Sequence, residues 1–354
     1  MQSLELAVVP LDVARRAALR LATRSSWLTR VIARRDSRVA LLATVQILLL
    51  FAFAIRAPIA LFFLGPVLFG VVHLAADIRY LVLRRSPPRA LLVTSVVLAT
   101  ALTAVRVGVG MHAIRTAQGE RLDVALGMTW IGFALFCALR RRAQKVALTV
   151  PLFLGFLGVG TVLFLNARLV GLVLIHLHNV IALLAWLVLF RRRLSWTMMP
   201  LALVVVLAAV LLSGSALPWT FEHGGLLAFG FHAERLAAWL APGVAINLAV
   251  ALTVCFVFLQ GVHYAAWIGW IPQDDLRVEG TPTFRMTVRA LIADFGPRAL
   301  ALILVAALAF VGVALWDIRT SVSWYMNIAK SHAWFECAFL AYFVVSGERL
   351  RGHA

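Results

Sequence analysis

The stretch Gly65–Tyr80, GPVLFGVVHLAADIRY, decides what kind of protein this is. Its background is apolar enough for a membrane interior, yet it carries His73 and, four residues on, Asp77. Four residues make about one helical turn, so both side chains leave the same face. A carboxylate near the middle of a bilayer costs about 2.5 to 3.5 kcal/mol on insertion scales, so it persists only with a partner or a task. Three other apolar stretches carry matching polar groups: His176, His178 and Asn179; His263; and His332 with Glu336.

The surrounding composition fixes the fold class. The 354 residues are 63% hydrophobic and only 14% charged, and their apolar runs repeatedly exceed the roughly 18 residues that mark a transmembrane helix. Backbone polar groups in lipid leave only helices or a closed barrel, and continuous Leu/Val/Ala runs without period-two alternation exclude the barrel. The expected fold is all-α, a polytopic transmembrane helix bundle. The net charge of +18 would suggest nucleic acid for a soluble chain. Here the arginines fall between apolar runs, where the positive-inside rule accounts for them, so no nucleic-acid partner is expected and anionic lipid headgroups suffice. Cys137, Cys255 and Cys337 lie in apolar helices and read as small buried hydrophobes rather than as a disulfide framework.

Residues 1–38 mix Arg15, Arg16, Arg20, Arg24, Arg30, Arg34, Arg35 and Arg38 with Leu11, Val13, Leu21, Trp27 and Ile32, the pattern of an amphipathic helix on the inner membrane surface. No apolar core and cleavage site of a signal peptide follow these charges. The transmembrane domain, 39–347, divides into ten expected spans: 39–57, 59–82, 90–108, 122–139, 146–165, 168–190, 197–217, 243–270, 299–316 and 323–346. With a cytoplasmic N-terminus the arginine clusters fall on inner loops, placing both termini inside a bacterial-type cytoplasmic membrane. The outer loop 218–242, with Trp219, Phe221, Phe229, Phe231 and Trp239, reads as interfacial. The inner loop 271–298 predicts an amphipathic helix at 283–295, and 348–354 is a tail. No internal repeat points to an inverted-repeat transporter.

On this topology the spans carrying His73, His176/His178, His263 and His332 all run from outside to inside, and their histidines fall in one layer. Neutral imidazole suits iron, zinc or copper, and carboxylates favour iron or manganese, so Fe(II) and Zn are both among the ions that fit. Asp77 and Glu336, each one turn beyond a histidine, could ligate or accept the second ring N–H of a ligand. His176 and His178 point about 200° apart, so one of them faces the cluster. A histidine inside a membrane also serves as a helix-to-helix hydrogen-bonding group, and Asp77 could pair with Arg79. The cluster therefore fits a metal-dependent enzyme, a proton or metal-ion pathway, or a bis-histidine haem protein. Lys330 could anchor a Schiff base but lies near enough to the outer end to snorkel. Glu222, His223, His232 and Glu234 could form an outer metal site, though a solvated loop explains them as well. His112 and His353 read as loop and tail residues.

These residues resemble the bacterial Brp/Blh family of integral-membrane β-carotene dioxygenases. Gly70–Asp77, GVVHLAAD, is similar to that family's Pro-His-Gly-x-x-Asp stretch, with Val72 and Leu74 in place of proline and glycine, and single histidines follow at His263 and His332. The resemblance implies histidine-bound iron, with ligand roles for His73, His263, His332 and a histidine of the sixth span, and support of the first by Asp77. It further implies a membrane oxygenase whose substrate is lipid-soluble, of carotenoid or isoprenoid type.

Overall fold

The computed structural model describes residues 2–142, 146–190, 196, 198–223, 233–275 and 280–347, all helix and connections with no strand among them. Three short helices open the chain, α1 (Gln2–Ala7), α2 (Val9–Ala22) and α3 (Ser26–Ala33), where the sequence suggested one surface helix. Long helices follow: α4 (Arg35–Arg56), α5 (Pro58–Asp77), α6 (Arg89–Gly110), α7 (Thr116–Arg142), α8 (Val146–Leu165) and α9 (Ala167–Ala185). Next come α10 (Met198–Leu212), α11 (Leu217–His223), α12 (Ala233–Leu240), α13 (Ile246–Ala265) and the single turn α14 (Ile271–Asp274). The chain ends in α15 (Phe284–Phe295), α16 (Pro297–Trp316) and α17 (Ile318–Ser346).

Seven of these helices, some with their π-helical continuations, are long and apolar enough to cross a membrane: 35–56, 58–83, 89–110, 116–141, 167–190, 246–274 and 297–316. They make the chain a helical membrane protein. Of the other expected spans, 146–165 coincides with α8. The stretch 197–217 holds α10, whose 15 residues extend about 22 Å. The stretch 323–346 lies within the 29-residue α17, where Lys330, His332 and Glu336 interrupt an otherwise apolar helix.

Two helices form the centre. α13 packs on α4, α5, α9, α10 and α12, while α17 packs on α5, α6, α7, α9 and α16. Burial separates centre from rim: 72% of the most apolar window of α13 is buried, against 11% for α16, whose Leu302, Val305, Leu308 and Leu315 face outward. Glycine permits a close approach of α5 to α17. A β-carbon at Gly70 of α5 would fall 2.7 Å from Cε2 of Tyr325 on α17. Only a hydrogen fits there, and the contact brings the His73 face of α5 against α17.

Three helices of the site end in wider π-helical turns: α5 in Ile78–Leu83, α9 in Trp186–Phe190 and α13 in Ala266–Trp270. Such turns concentrate at functional sites. Here they supply an aromatic floor, with Trp186 and Trp270 ring centroids 5.1 Å apart and Phe190 5.9 Å from Tyr80 and 6.5 Å from Trp267. Beside it, Arg79 donates to Asp294 Oδ2 at 2.6 Å and Arg84 pairs with both Asp294 and Asp275, tying α5 to α15. On the other side of α15 lies the N-terminal segment. Asp12 accepts from the backbone N–H of Phe284 at 2.7 Å, and Arg289 pairs with Glu5 at 2.7 Å.

Candidate metal centre

Four helices deliver the polar cluster. His73 and Asp77 come from α5, His178 and Asn179 from α9, His263 from α13, and His332 and Glu336 from α17. His73 and His263 are 0% exposed and Asp77 and Glu336 1%. The ring centroid of His73 lies 5.4 Å from that of His263 and 4.9 Å from that of His332. His178 completes the group, 5.3 Å from His263 and 5.4 Å from His332. His176 stays outside: its ring stacks edge-on against Phe256 at 5.6 Å. The roughly 200° between the two α9 histidines is thus resolved in favour of His178 facing the cluster.

Hydrogen bonds set the tautomers. Nδ1 of His73 lies 3.2 Å from the Phe69 carbonyl, and Nδ1 of His178 lies 3.0 Å from that of Ile175. Nδ1 of His332 is bonded to the Ala329 carbonyl. A carbonyl only accepts, so each Nδ1 carries the proton and each Nε2 keeps a lone pair, the form that ligates metals. Nε2 of His73 and Nε2 of His332 are 3.3 Å apart. Nε2 of His263 stands 3.4 Å from Glu336 Oε1, which also accepts from Trp267 Nε1 at 2.6 Å.

The carboxylates are under-satisfied. Both oxygens of Asp77, Oε2 of Glu336 and the whole side-chain amide of Asn179 lack a hydrogen-bond partner. Arg79, one partner the sequence allowed for Asp77, is instead bonded to Asp294 and to the Tyr80 hydroxyl at 2.9 Å. Burial of such groups calls for either a counter-charge or a proton. Donor atoms of His73, His263 and His332 lie within 4.8 Å of one another, as do those of Asp77, His332 and Glu336, and either set could hold a metal ion.

A cavity of about 30 Å³ opens beside the cluster, lined by His178, Gln260, Tyr264, Tyr325, Lys330 and His332, with Asp123 in its wall. It has room for one or two waters. Lys330 therefore faces polar neighbours. Asp123 is held by a two-point ion pair with Arg106, both nearly fully buried. Sequence reading did not single out Gln260, Asp123 or Arg106. Gln260 was detectable as a polar residue three before His263 in an apolar helix, whereas Arg106 and Asp123 lie near the ends of apolar runs, where charges are ordinary.

Of the outer residues considered as a second metal site, the side chains of Glu222 and His223 and all of His232 lie outside the described residues, as do Arg191–Arg193 and His353. His112 occupies a turn with φ 60° and joins no cluster among the described residues. No family model, no curated protein and no solved structure matches the chain.

Proposed function

We propose that the chain is a membrane-embedded oxygenase that holds iron(II) in its buried imidazoles and acts on a lipid-soluble substrate of carotenoid or isoprenoid type. The observation that carries this reading is the meeting of four imidazoles from four helices with two carboxyl groups that are not fully hydrogen-bonded, inside an apolar bundle. Mixed imidazole and carboxylate donors suit iron or manganese better than copper, and iron is the ion that supplies dioxygen chemistry. His73, His178 and His332 each keep Nε2 available through a backbone carbonyl on Nδ1. Trp267 holds Glu336 in place from the floor, and Trp186, Trp267 and Trp270 keep water from the inner side.

An apolar groove of about 560 Å³ lies between α7 and α8, lined by Met128, Phe133, Phe136, Phe156 and Phe164. That volume suits a medium-sized apolar ligand.

The same reading has ten spans with both termini on the cytoplasmic face of a bacterial-type membrane. The contact between the N-terminal segment and α15 supports its even number of crossings ahead of α15, because two elements that touch lie on one side of the membrane. Arg16, Arg20, Arg24, Arg30 and Arg34 are exposed there beside Leu11, Val13, Leu21 and Trp27, a surface suited to anionic headgroups.

The test is anaerobic purification in detergent followed by elemental analysis, an absorption spectrum and oxygen uptake with a membrane-lipid extract containing β-carotene. Bound iron, no haem band and carotenoid-dependent uptake are expected. A Soret band, or metal-free protein that moves protons or ions across liposomes, overturns the proposal.

A further inference from the structure

We propose that the cluster is built for two metal ions, a nitrogen-rich subsite among the imidazoles and a second, carboxylate-rich subsite on Asp77 and Glu336. This rests on the reading of the imidazoles as a metal site. The two donor sets, His73/His263/His332 and Asp77/His332/Glu336, are each compact, and they overlap only at His332. On both α5 and α17 the carboxylate follows its histidine by four residues, and the two helices run in the same direction. The carboxylates therefore form their own layer about 6 Å further along the helix axes, toward the aromatic floor.

One ion does not use what is present. With both oxygens of each carboxylate counted, four imidazole nitrogens and two carboxylates offer eight donor atoms, more than the four to six positions of a first-row ion. An ion centred among His73, His263 and His332 leaves Asp77 outside its set, yet Asp77 is 1% exposed and neither of its oxygens has a partner. His332 commits Nδ1 to the Ala329 carbonyl, so only Nε2 remains, and one lone pair serves one ion. With His332 given to the imidazole ion, the carboxylate set keeps two of its three residues, Asp77 and Glu336. Glu336 is placed to bridge: Oε1 faces His263 Nε2 at 3.4 Å, while Oε2 is unengaged. Bridged pairs of this kind sit roughly 3.5 to 4 Å apart. The carboxylate subsite is the harder of the two and favours iron or manganese.

The experiment loads the full-length detergent-purified protein with manganese(II) alone and removes loose metal by gel filtration. Two ions per chain are expected, with the isolated six-line electron paramagnetic resonance signal replaced by that of an exchange-coupled pair. Asp77→Asn and Glu336→Gln should each lower the ratio to one and restore the isolated signal. A ratio of one in the unaltered protein, or a ratio of two that survives both substitutions, overturns the second subsite and leaves the imidazole site standing. A ratio of zero removes both. The spectrum of the unaltered protein decides the matter even if a variant fails to fold.

Discussion

Nε2 of His73 and Nε2 of His332 face each other at 3.3 Å although both rings have already given their proton-bearing nitrogen to a backbone carbonyl. Two lone pairs held that close repel unless a cation lies against them. Replacing either histidine by alanine should therefore reduce bound iron at least about 10-fold, a loss no smaller than that expected for a supporting residue. His176→Ala, which removes a ring packed on Phe256, should leave the iron content unchanged. Elemental analysis of the three variants checks this, and equal losses in all three would tie metal content to folding rather than to ligation.

The hydrogen bond from Trp267 Nε1 to Glu336 Oε1 at 2.6 Å leads to a graded expectation. Trp267→Phe keeps most of the buried volume but frees the carboxylate to rotate. Metal affinity should fall about 10- to 100-fold, the usual consequence of losing a group that orients a ligand. Competition against a chelator of known affinity measures it. An unchanged affinity would show that Glu336 is held by other contacts.

Gly70 meets Tyr325 where a β-carbon would fall 2.7 Å from the ring. Because this contact lies beside His73, Gly70→Ala should push α17 from α5, lower stability by about 1 to 3 kcal/mol and loosen the metal. Gly312→Ala on α16, with nothing within 4 Å of the added carbon, should be neutral or slightly stabilising. Thermal midpoints in detergent compare the two.

Much of this arrangement is readable in the sequence, and the reasons differ by residue. Asp77 and Glu336 stand out because a carboxylate in an apolar helix is costly wherever the helix sits. The facing of His178 rather than His176 is set by how α9 lies on α13 and α17, which periodicity within α9 alone does not determine. The π-helical turns were invisible, since Trp186–Phe190 and Ala266–Trp270 have no composition that separates them from α-helix. The division of the N-terminal segment into three helices likewise went unseen, since its basic and apolar residues alternate across the breaks.

Asp12 makes the attachment of that segment pH-dependent. Burial pushes its carboxyl upward, but the N–H groups of Phe284 and Arg285 and the charges of Arg285 and Arg15 outweigh this and hold it below the ordinary carboxylate value. A group depressed in the folded state stabilises above its unfolded value, near 4, and loses that contribution as pH falls through the folded value. Hydrogen exchange of the α2 amides, corrected for the intrinsic pH dependence, should thus lose protection below about pH 4. Asp12→Asn should already exchange faster at neutral pH and show a flatter dependence, while an unchanged profile would count against the contact.

The ion pair of Arg106 and Asp123 predicts an asymmetry that distinguishes a cavity wall from a simple structural clasp. Both side chains are nearly fully buried, at 5% and 3% exposure, and Asp123 shares the cavity wall with Lys330, which feels the charges of both. Removing one partner of a buried pair strands the other at about 3 to 5 kcal/mol. Asp123→Asn strands Arg106 and takes from Lys330 one of the two acidic groups that act on it, leaving Glu120. Arg106→Met strands only Asp123, whose charge Lys330 offsets in part across the cavity. The aspartate variant should therefore lose clearly more thermal stability than the arginine variant, and adding Lys330→Met should restore part of the loss in the first background but deepen it in the second. Equal losses, or a Lys330 substitution that acts alike in both backgrounds, would mean that the lysine does not share the charge balance of the cavity.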